Sequence, residues 1–202
     1  MKFSIYQIKP QFQRLLSPVL NTLIFCRVTP NQITVLAMSL SLLFGVALTV
    51  FPQHRWLWFA YPAFMLLRMM LNAIDGMLAN ATGQKTSLGA MLNEMGDQVS
   101  DVALYLPFAF LANVSAQLSV MVVILALLAE FAGVIAILTG STRRFDGPMG
   151  KSDRAFSFGV LALLVAFNAA SFWLNGVLSL MMLLLVWTIF NRLHHQIVPP
   201  TP

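Results

Sequence analysis

Apolar residues run in six stretches, approximately 31–51, 56–80, 86–112, 117–140, 155–174 and 177–191. A helix needs roughly 20 apolar residues to cross a bilayer, where the backbone must satisfy its own hydrogen bonds. Turn chemistry or charge separates the stretches: Pro52-Gln53-His54-Arg55, Ala81-Thr82-Gly83-Gln84-Lys85, Asn113 to Gln117, Thr142 to Arg154, and a short seam at Asn175-Gly176. Pro62 and Pro107 fall inside the second and third stretches and are expected to kink those helices rather than end them. The pattern predicts an all-α membrane protein with six transmembrane helices over 31–191.

The leading segment, 1–30, has a different period. Ile8, Phe12, Leu15, Val19 and Leu23 recur at helical spacing opposite Lys9, Gln13, Arg14, Ser17 and Asn21. This predicts an amphipathic helix lying on the cytoplasmic membrane surface, with Thr29-Pro30-Asn31 opening the first span. Lys9, Pro10, Arg14 and Pro18 interrupt any continuous apolar core, which argues against a secretory signal peptide. Residues 192–202 read as a cytoplasmic tail.

Composition excludes the soluble alternatives. Of 202 residues, 58% are hydrophobic and 9% charged, against about 25% charged in an ordinary globular protein. A chain this size has too little interior to hide so much apolar surface from water, and the same numbers exclude disorder. A single cysteine, Cys26, excludes an internal disulfide framework and a Cys-rich metal site. Lysine and arginine sort by side. Lys2, Lys9, Arg14, Arg27, Lys85, Arg143, Arg144, Lys151, Arg154 and Arg192 fall on one face, Arg55 on the other, and Arg68 inside the second span. The positive-inside rule then places both termini and the 142–154 loop in the cytoplasm, as in a bacterial inner-membrane protein. The net charge of +5 is topological and faces lipid, so it does not argue for nucleic acid.

Five of the seven acidic residues lie within the predicted spans: Asp75, Glu94, Asp97, Asp101 and Glu130. A charge at mid-membrane costs about 2.5–3.5 kcal/mol on insertion scales. Such residues line a cavity or pair between helices as glue. Asn93, Asp97 and Asp101 recur every four residues and form one stripe on the third span; Arg68, Asn72 and Asp75 form a matching stripe on the second. A five-residue turn joins these spans as antiparallel neighbours. Gly76, Ala79, Gly89, Ala90 and Gly96 flank the acids and permit close approach of a backbone or ligand. The stripes predict a polar pocket open to the cytoplasmic side, suited to a hard cation held by carboxylates and substrate phosphates. His54, His194 and His195 lie at span ends or in the tail, a poor arrangement for a softer metal.

The run Asn72-Ala-Ile-Asp75-Gly76-Met-Leu-Ala79-Asn80, eight residues, Gly89-Ala-Met-Leu-Asn93-Glu-Met-Gly-Asp97 resembles the signature of the CDP-alcohol phosphotransferase (CDP-alcohol phosphatidyltransferase) family. That signature reads Asp-x2-Asp-Gly-x2-Ala-Arg, eight residues, Gly-x3-Asp-x3-Asp, and every spacing fits. The Thr29-Pro30-Asn31 entry, the six spans, the surface helix and the Gly150-Lys151-Ser152-Asp153-Arg154 loop also look like the family. Asparagine replaces the first aspartate at Asn72, the third at Asn93 and the arginine at Asn80.

The resemblance implies transfer of a phosphatidyl group from CDP-diacylglycerol to a small alcohol or alcohol phosphate, with release of CMP, in phospholipid biosynthesis. It implies Mg²⁺ or Mn²⁺ as cofactor, Asp75 as a metal ligand, and Asp97 as general base or metal ligand. Asn72 and Asn93 would ligate through their carbonyls, and Asp101 or Glu94 would supply a replacement carboxylate. Gly76, Ala79 and Gly89 would allow the cytidine moiety to approach, and Asn80 stands where the phosphate-contacting arginine would be. A homodimer is also implied. Two rival readings are a relative that binds the nucleotide-lipid without turnover, and an ion-coupled transporter using Asp75, Asp97 and Asp101. Lys151 and Arg154 are candidates for an acceptor phosphate or a lipid head group, or simply set orientation. Glu130 is expected to pair with Arg68, and Trp56, Trp58, Tyr61, Trp173 and Trp187 to anchor at the interface or pack.

Overall fold

A computed structural model of the chain describes residues 9–197, and every regular element among them is helical. Helix α1 spans Lys9–Phe25, α2 Pro30–Val50, α3 Arg55–Ala81, α4 Ser87–Tyr105, α5 Ala116–Ile135, α6 Lys151–Ala166 and α7 Ser171–Ile197. Short 3₁₀ segments, Leu106–Phe110 and Ala136–Thr139, follow α4 and α5. Among the described residues, four helices are long and apolar enough to cross a membrane: Pro30–Val50, Arg55–Ala81, Ala116–Leu138 and Ser171–His194. Charge separates α4 from these, since its 19 residues hold Glu94, Asp97 and Asp101. Length separates α6, which has 16.

Local chemistry fixes the ends. At Thr29 the hydroxyl accepts from the Gln32 amide while the Gln32 side chain accepts from the Thr29 N–H, a reciprocal cap ahead of Pro30. The Thr86 hydroxyl caps α4 at the Gly89 N–H, and Ser115 caps α5 at Leu118. Pro62 sits within α3 without ending it. Pro107 behaves otherwise: the α-helix stops at Tyr105 and continues as the 3₁₀ turn, because proline offers no N–H and clashes with the preceding turn.

The boundary between the last two helices also departs from expectation. Asn175-Gly176 lies inside α7, and the break is at 167–170. Asn168 takes a left-handed φ of 54° there, and the Ala169 N–H returns to the Leu164 carbonyl at 2.9 Å. The Asn175 amide oxygen instead accepts from the Ser115 N–H at 2.8 Å, closing the start of α5. Helix α7 continues through Arg192, beyond the expected end of the span.

The chain divides into two compact units. The first comprises the described residues up to Val46 together with Ala63–Leu104. Its apolar centre is Leu16, Ile33, Ile74 and Leu78, with Leu20 and Leu23 packed against it. Thus α1 buries the stripe Leu16-Leu20-Leu23 and leaves Leu15 and Val19 exposed. Its apolar residues divide between protein and surroundings, which the single face expected from the sequence does not capture. Ile8 and the Phe12 side chain lie outside the described residues. A side chain at Gly45 would collide with the Ala103 carbonyl, so α2 and α4 meet backbone to backbone.

The second unit comprises Ala47–Pro62 and the described residues from Tyr105 onward. Phe108 is its aromatic hub, meeting Trp58 at 4.9 Å and Tyr61 at 5.5 Å, while Tyr105 stacks on Phe158 at 3.9 Å. Trp58 and Tyr61 are therefore packing residues, whereas Trp56, Trp173 and Trp187 are exposed. The α5–α6 loop folds inward. Met149 N–H donates to the Thr188 hydroxyl at 2.9 Å, and the Arg144 N–H donates to the Gly133 carbonyl at 3.0 Å. Gly147 has φ 116°, and a side chain there would meet Thr188 at 2.6 Å. Gly147→Ala is expected to cost roughly 2–4 kcal/mol, strain and overpacking together. Gly140→Ala, with φ 79° in open space, should cost about 1–2 kcal/mol. Denaturant midpoints of the two variants in detergent would check this order.

Candidate active site

Within the first unit, α3 and α4 form an antiparallel ladder of polar side chains. Arg68 Nη1 lies 2.5 Å from Asp101 Oδ1. Asn72 Nδ2 donates to Asp97 Oδ1 at 2.6 Å, and Asn93 Nδ2 donates to Asp75 Oδ2 at 2.8 Å. As numbers rise along α3 from 68 to 72 to 75, partners on α4 fall from 101 to 97 to 93. The two stripes read from the sequence therefore face each other, rung by rung.

The rungs are linked by further contacts. Arg68 Nη2 donates to the Asp97 carbonyl at 3.0 Å and lies 3.6 Å from Asp97 Oδ1. This buried guanidinium thus holds both Asp97 and Asp101. From α2, the Thr34 hydroxyl donates to Asp75 Oδ2 at 2.8 Å, so one carboxylate oxygen receives two donors. Asp75 is 4% exposed, whereas the Asp97 side chain is 18% exposed. Of the two signature aspartates, Asp97 is the more exposed.

The small residues play distinct parts. A side chain at Gly76 would meet nothing within 4 Å, so this side of α3 is open. Exposed Asn80 donates to the Gly76 carbonyl at 2.8 Å, and Ala79 is half-buried beside them. At Gly89 a side chain would meet Asn31 Oδ1 at 3.0 Å and Thr86 Oγ1 at 3.1 Å, so the glycine admits Asn31 to the site. Sequence reasoning placed Asn31 at a helix start and passed over Thr34. A threonine in an apolar span ordinarily bonds back to its own helix, as Thr34 also does to the Pro30 carbonyl at 3.2 Å.

The second unit holds a separate polar cluster. Glu130 is bound by three arginines: Arg143 at 2.8 Å, Arg154 at 2.9 Å and Arg192 at 3.3 Å. Arg154 is 0% exposed. Glu130 therefore does not pair with Arg68, because it faces the inward-folded loop and α7. Arg154 is a buried ion-pair partner, beyond the alternatives of lipid contact and orientation charge. Lys151 is half-buried in the first turn of α6.

The family model described as CDP-alcohol phosphatidyltransferase matches residues 27–195. The chain belongs to that family. This CDP-alcohol phosphatidyltransferase family member is 45% identical over 190 residues to the Inner membrane protein YnbA of Escherichia coli K12, covering 94% of each chain. It is 25% identical to an archaetidylinositol phosphate synthase of Pyrococcus horikoshii, over 86% of this chain and 89% of that one. A phosphatidylinositol phosphate synthase of Corynebacterium glutamicum matches at 34% over 46% of this chain and 41% of its own length. The fold is shared with the Mycobacterium tuberculosis phosphatidylinositol phosphate synthase crystallised with CDP-DAG, at TM-score 0.77 and 21% identity, covering 93% and 96% of the two chains. A second structure of that enzyme, with manganese and citrate, gives TM-score 0.76 at 21% identity, covering 91% and 89%. Transferases of this family use divalent metals such as Mg²⁺ or Mn²⁺. With its apolar helices and these relatives, the chain is an integral membrane protein.

The donor set can be tested against such a metal. Among the described residues, no three His, Cys, Asp or Glu side chains gather as a metal cage. Asp75 and Asp97, with the amide oxygens of Asn72 and Asn93 once their amides rotate, offer hard oxygen donors. Mg²⁺ and its relatives are commonly held by one or two carboxylates plus substrate phosphates. The residues present fit one such ion.

Proposed function

We infer that this protein transfers the phosphatidyl group of CDP-diacylglycerol to the hydroxyl of a small alcohol or alcohol phosphate, releasing CMP. The observation that carries this reading is the partly exposed Asp97 carboxylate, fixed by Asn72 and Arg68 at the last position of the signature. The acceptor oxygen bonds to the phosphatidyl phosphorus as the phosphorus–oxygen bond to CMP breaks, and the acceptor proton passes to Asp97. Arg68 and Asn72 hold that carboxylate in place; Thr34 and Asn93 hold Asp75. Asp75, Asp97, Asn72 and Asn93 would hold Mg²⁺ or Mn²⁺, which when bound neutralises charge on the phosphate oxygens. The open side at Gly76, with Ala79 and Asn80 beside it, receives the cytidine moiety, while Gly89 keeps room for Asn31. Asp101 acts through Arg68 rather than as a ligand.

The same reading includes α2 to α7 as six spans, with charged α4 and short α6 completing the membrane domain. Helix α1 lies along the cytoplasmic surface, both termini are cytoplasmic, and the protein is a homodimer of the inner membrane. The decisive assay is CMP release from CDP-diacylglycerol by protein in nanodiscs, with Mn²⁺ or Mg²⁺ and pooled polyols and their phosphates. Release is expected. Intact donor after incubation with folded protein would refute turnover, and tight donor binding without release would favour the binding-only relative, which the amide–carboxylate bonds of Asn72 and Asn93 make a concrete second reading.

A further inference from the structure

We propose that Asn72 and Asn93, by standing where two further carboxylates would be, leave the site with the charge to hold one dication rather than the two that four aspartates would require. This rests on the transferase reading only for the identity of the metal. The amides cross between helices: the α3 amide, Asn72, serves the α4 aspartate, and the α4 amide, Asn93, serves the α3 aspartate. Each presents its NH₂ group, not its carbonyl, to a carboxylate at 2.6–2.8 Å. Aspartates at 72 and 93 would place a carboxylate against a carboxylate on both rungs. Each such rung needs a cation or a shared proton between its carboxylates, since like charges at that separation do not both ionise unaided.

The charge count points the same way. Asp75, Asp97 and Asp101 contribute −3, and Arg68, held between Asp97 and Asp101, contributes +1. The sum is −2, which one dication balances. With aspartate at 72 and 93 the sum becomes −4, which two balance. A buried charge cluster in a low-dielectric surround is costly unless neutralised, so the number of ions follows the number of uncompensated carboxylates. For the one ion to gain amide oxygens, Asn72 and Asn93 must rotate and release their aspartates, so metal and amide compete for the same carboxylates.

The test is Mn²⁺ stoichiometry, by calorimetry and by electron paramagnetic resonance, on full-length protein in nanodiscs of zwitterionic lipid. A variant carrying Asp75→Asn and Asp97→Asn corrects for lipid-bound metal. Wild type is expected to bind one Mn²⁺ per chain and to lose a few degrees of unfolding temperature in chelator, the stabilisation that a single bound ion supplies. The variant N72D/N93D is expected to bind two, to be destabilised in chelator, and to gain roughly 5–10 °C on saturation with Mn²⁺. Two ions or none on the wild type would overturn the proposal, whether or not the variant folds. A folded variant that binds only one would overturn it as well. CMP release is scored separately: one bound Mn²⁺ with no turnover refutes the transferase reading and leaves this inference standing, whereas turnover with two bound ions does the reverse.

Discussion

Replacing Asp97 by alanine is expected to lower CMP release from CDP-diacylglycerol by roughly 10²- to 10⁴-fold, the usual contribution of a positioned acid or base. The size of the effect follows from its place on the ladder. Asp97 combines a partly exposed side chain with fixed geometry from Asn72 and Arg68, so its loss removes the proposed proton acceptor without opening the apolar core. Asp101→Asn should act differently. It weakens the grip on Arg68 and shifts Asp97 without deleting it, giving a smaller loss that spreads over kcat and KM. An Asp97→Ala enzyme within a few-fold of wild type would remove Asp97 from the proposed role.

Glu130→Ala should produce the largest loss of stability. It leaves Arg143, Arg154 and Arg192 around an empty centre, and two of those guanidiniums are almost wholly buried. Removing one partner from a buried ion-pair cluster costs about 3–5 kcal/mol, because the remaining charges lose compensation but do not regain water. The Arg192 bonds to the Ala129 and Asp146 carbonyls would keep part of the loop attached. Glu130→Ala combined with Arg154→Ala should therefore be less destabilised than the two single changes added together. Denaturant midpoints of the four proteins form the cycle. Equal midpoints for wild type and Glu130→Ala would show that the cluster contributes nothing to stability.

The sequence by itself determined the features that depend on local spacing. Helical period and apolar runs decided an all-α membrane protein, since only a helix satisfies its own backbone in lipid. The four-residue recurrence of Asn93, Asp97 and Asp101, against Arg68, Asn72 and Asp75, put both polar stripes on facing helices. The short turn at 82–86 made their antiparallel order the only economical one. The signature spacing from Asn72 to Asp97 also sufficed for the family, later matched over residues 27–195. Helix ends were legible where a side chain announces its own cap, as at Thr29, and illegible where the decisive bond comes from afar. Asn175 looks like a turn residue, but its amide is spent on Ser115, sixty positions away.

Tertiary structure alone decided the pairings. Nothing in the sequence distinguishes Arg68 from Arg154 as the partner of Glu130, because ion pairing depends on which helices meet. It also could not show that Asn72 and Asn93 offer nitrogen rather than oxygen to the aspartates. An asparagine can do either, and the choice is made by the carboxylate that the opposite helix brings within hydrogen-bond reach. Thr34 entered the site for the same reason: its hydroxyl serves its own helix and Asp75 at once. Period and composition are properties of one segment, whereas the protonic and ionic character of the site is set by what two or three segments place against each other.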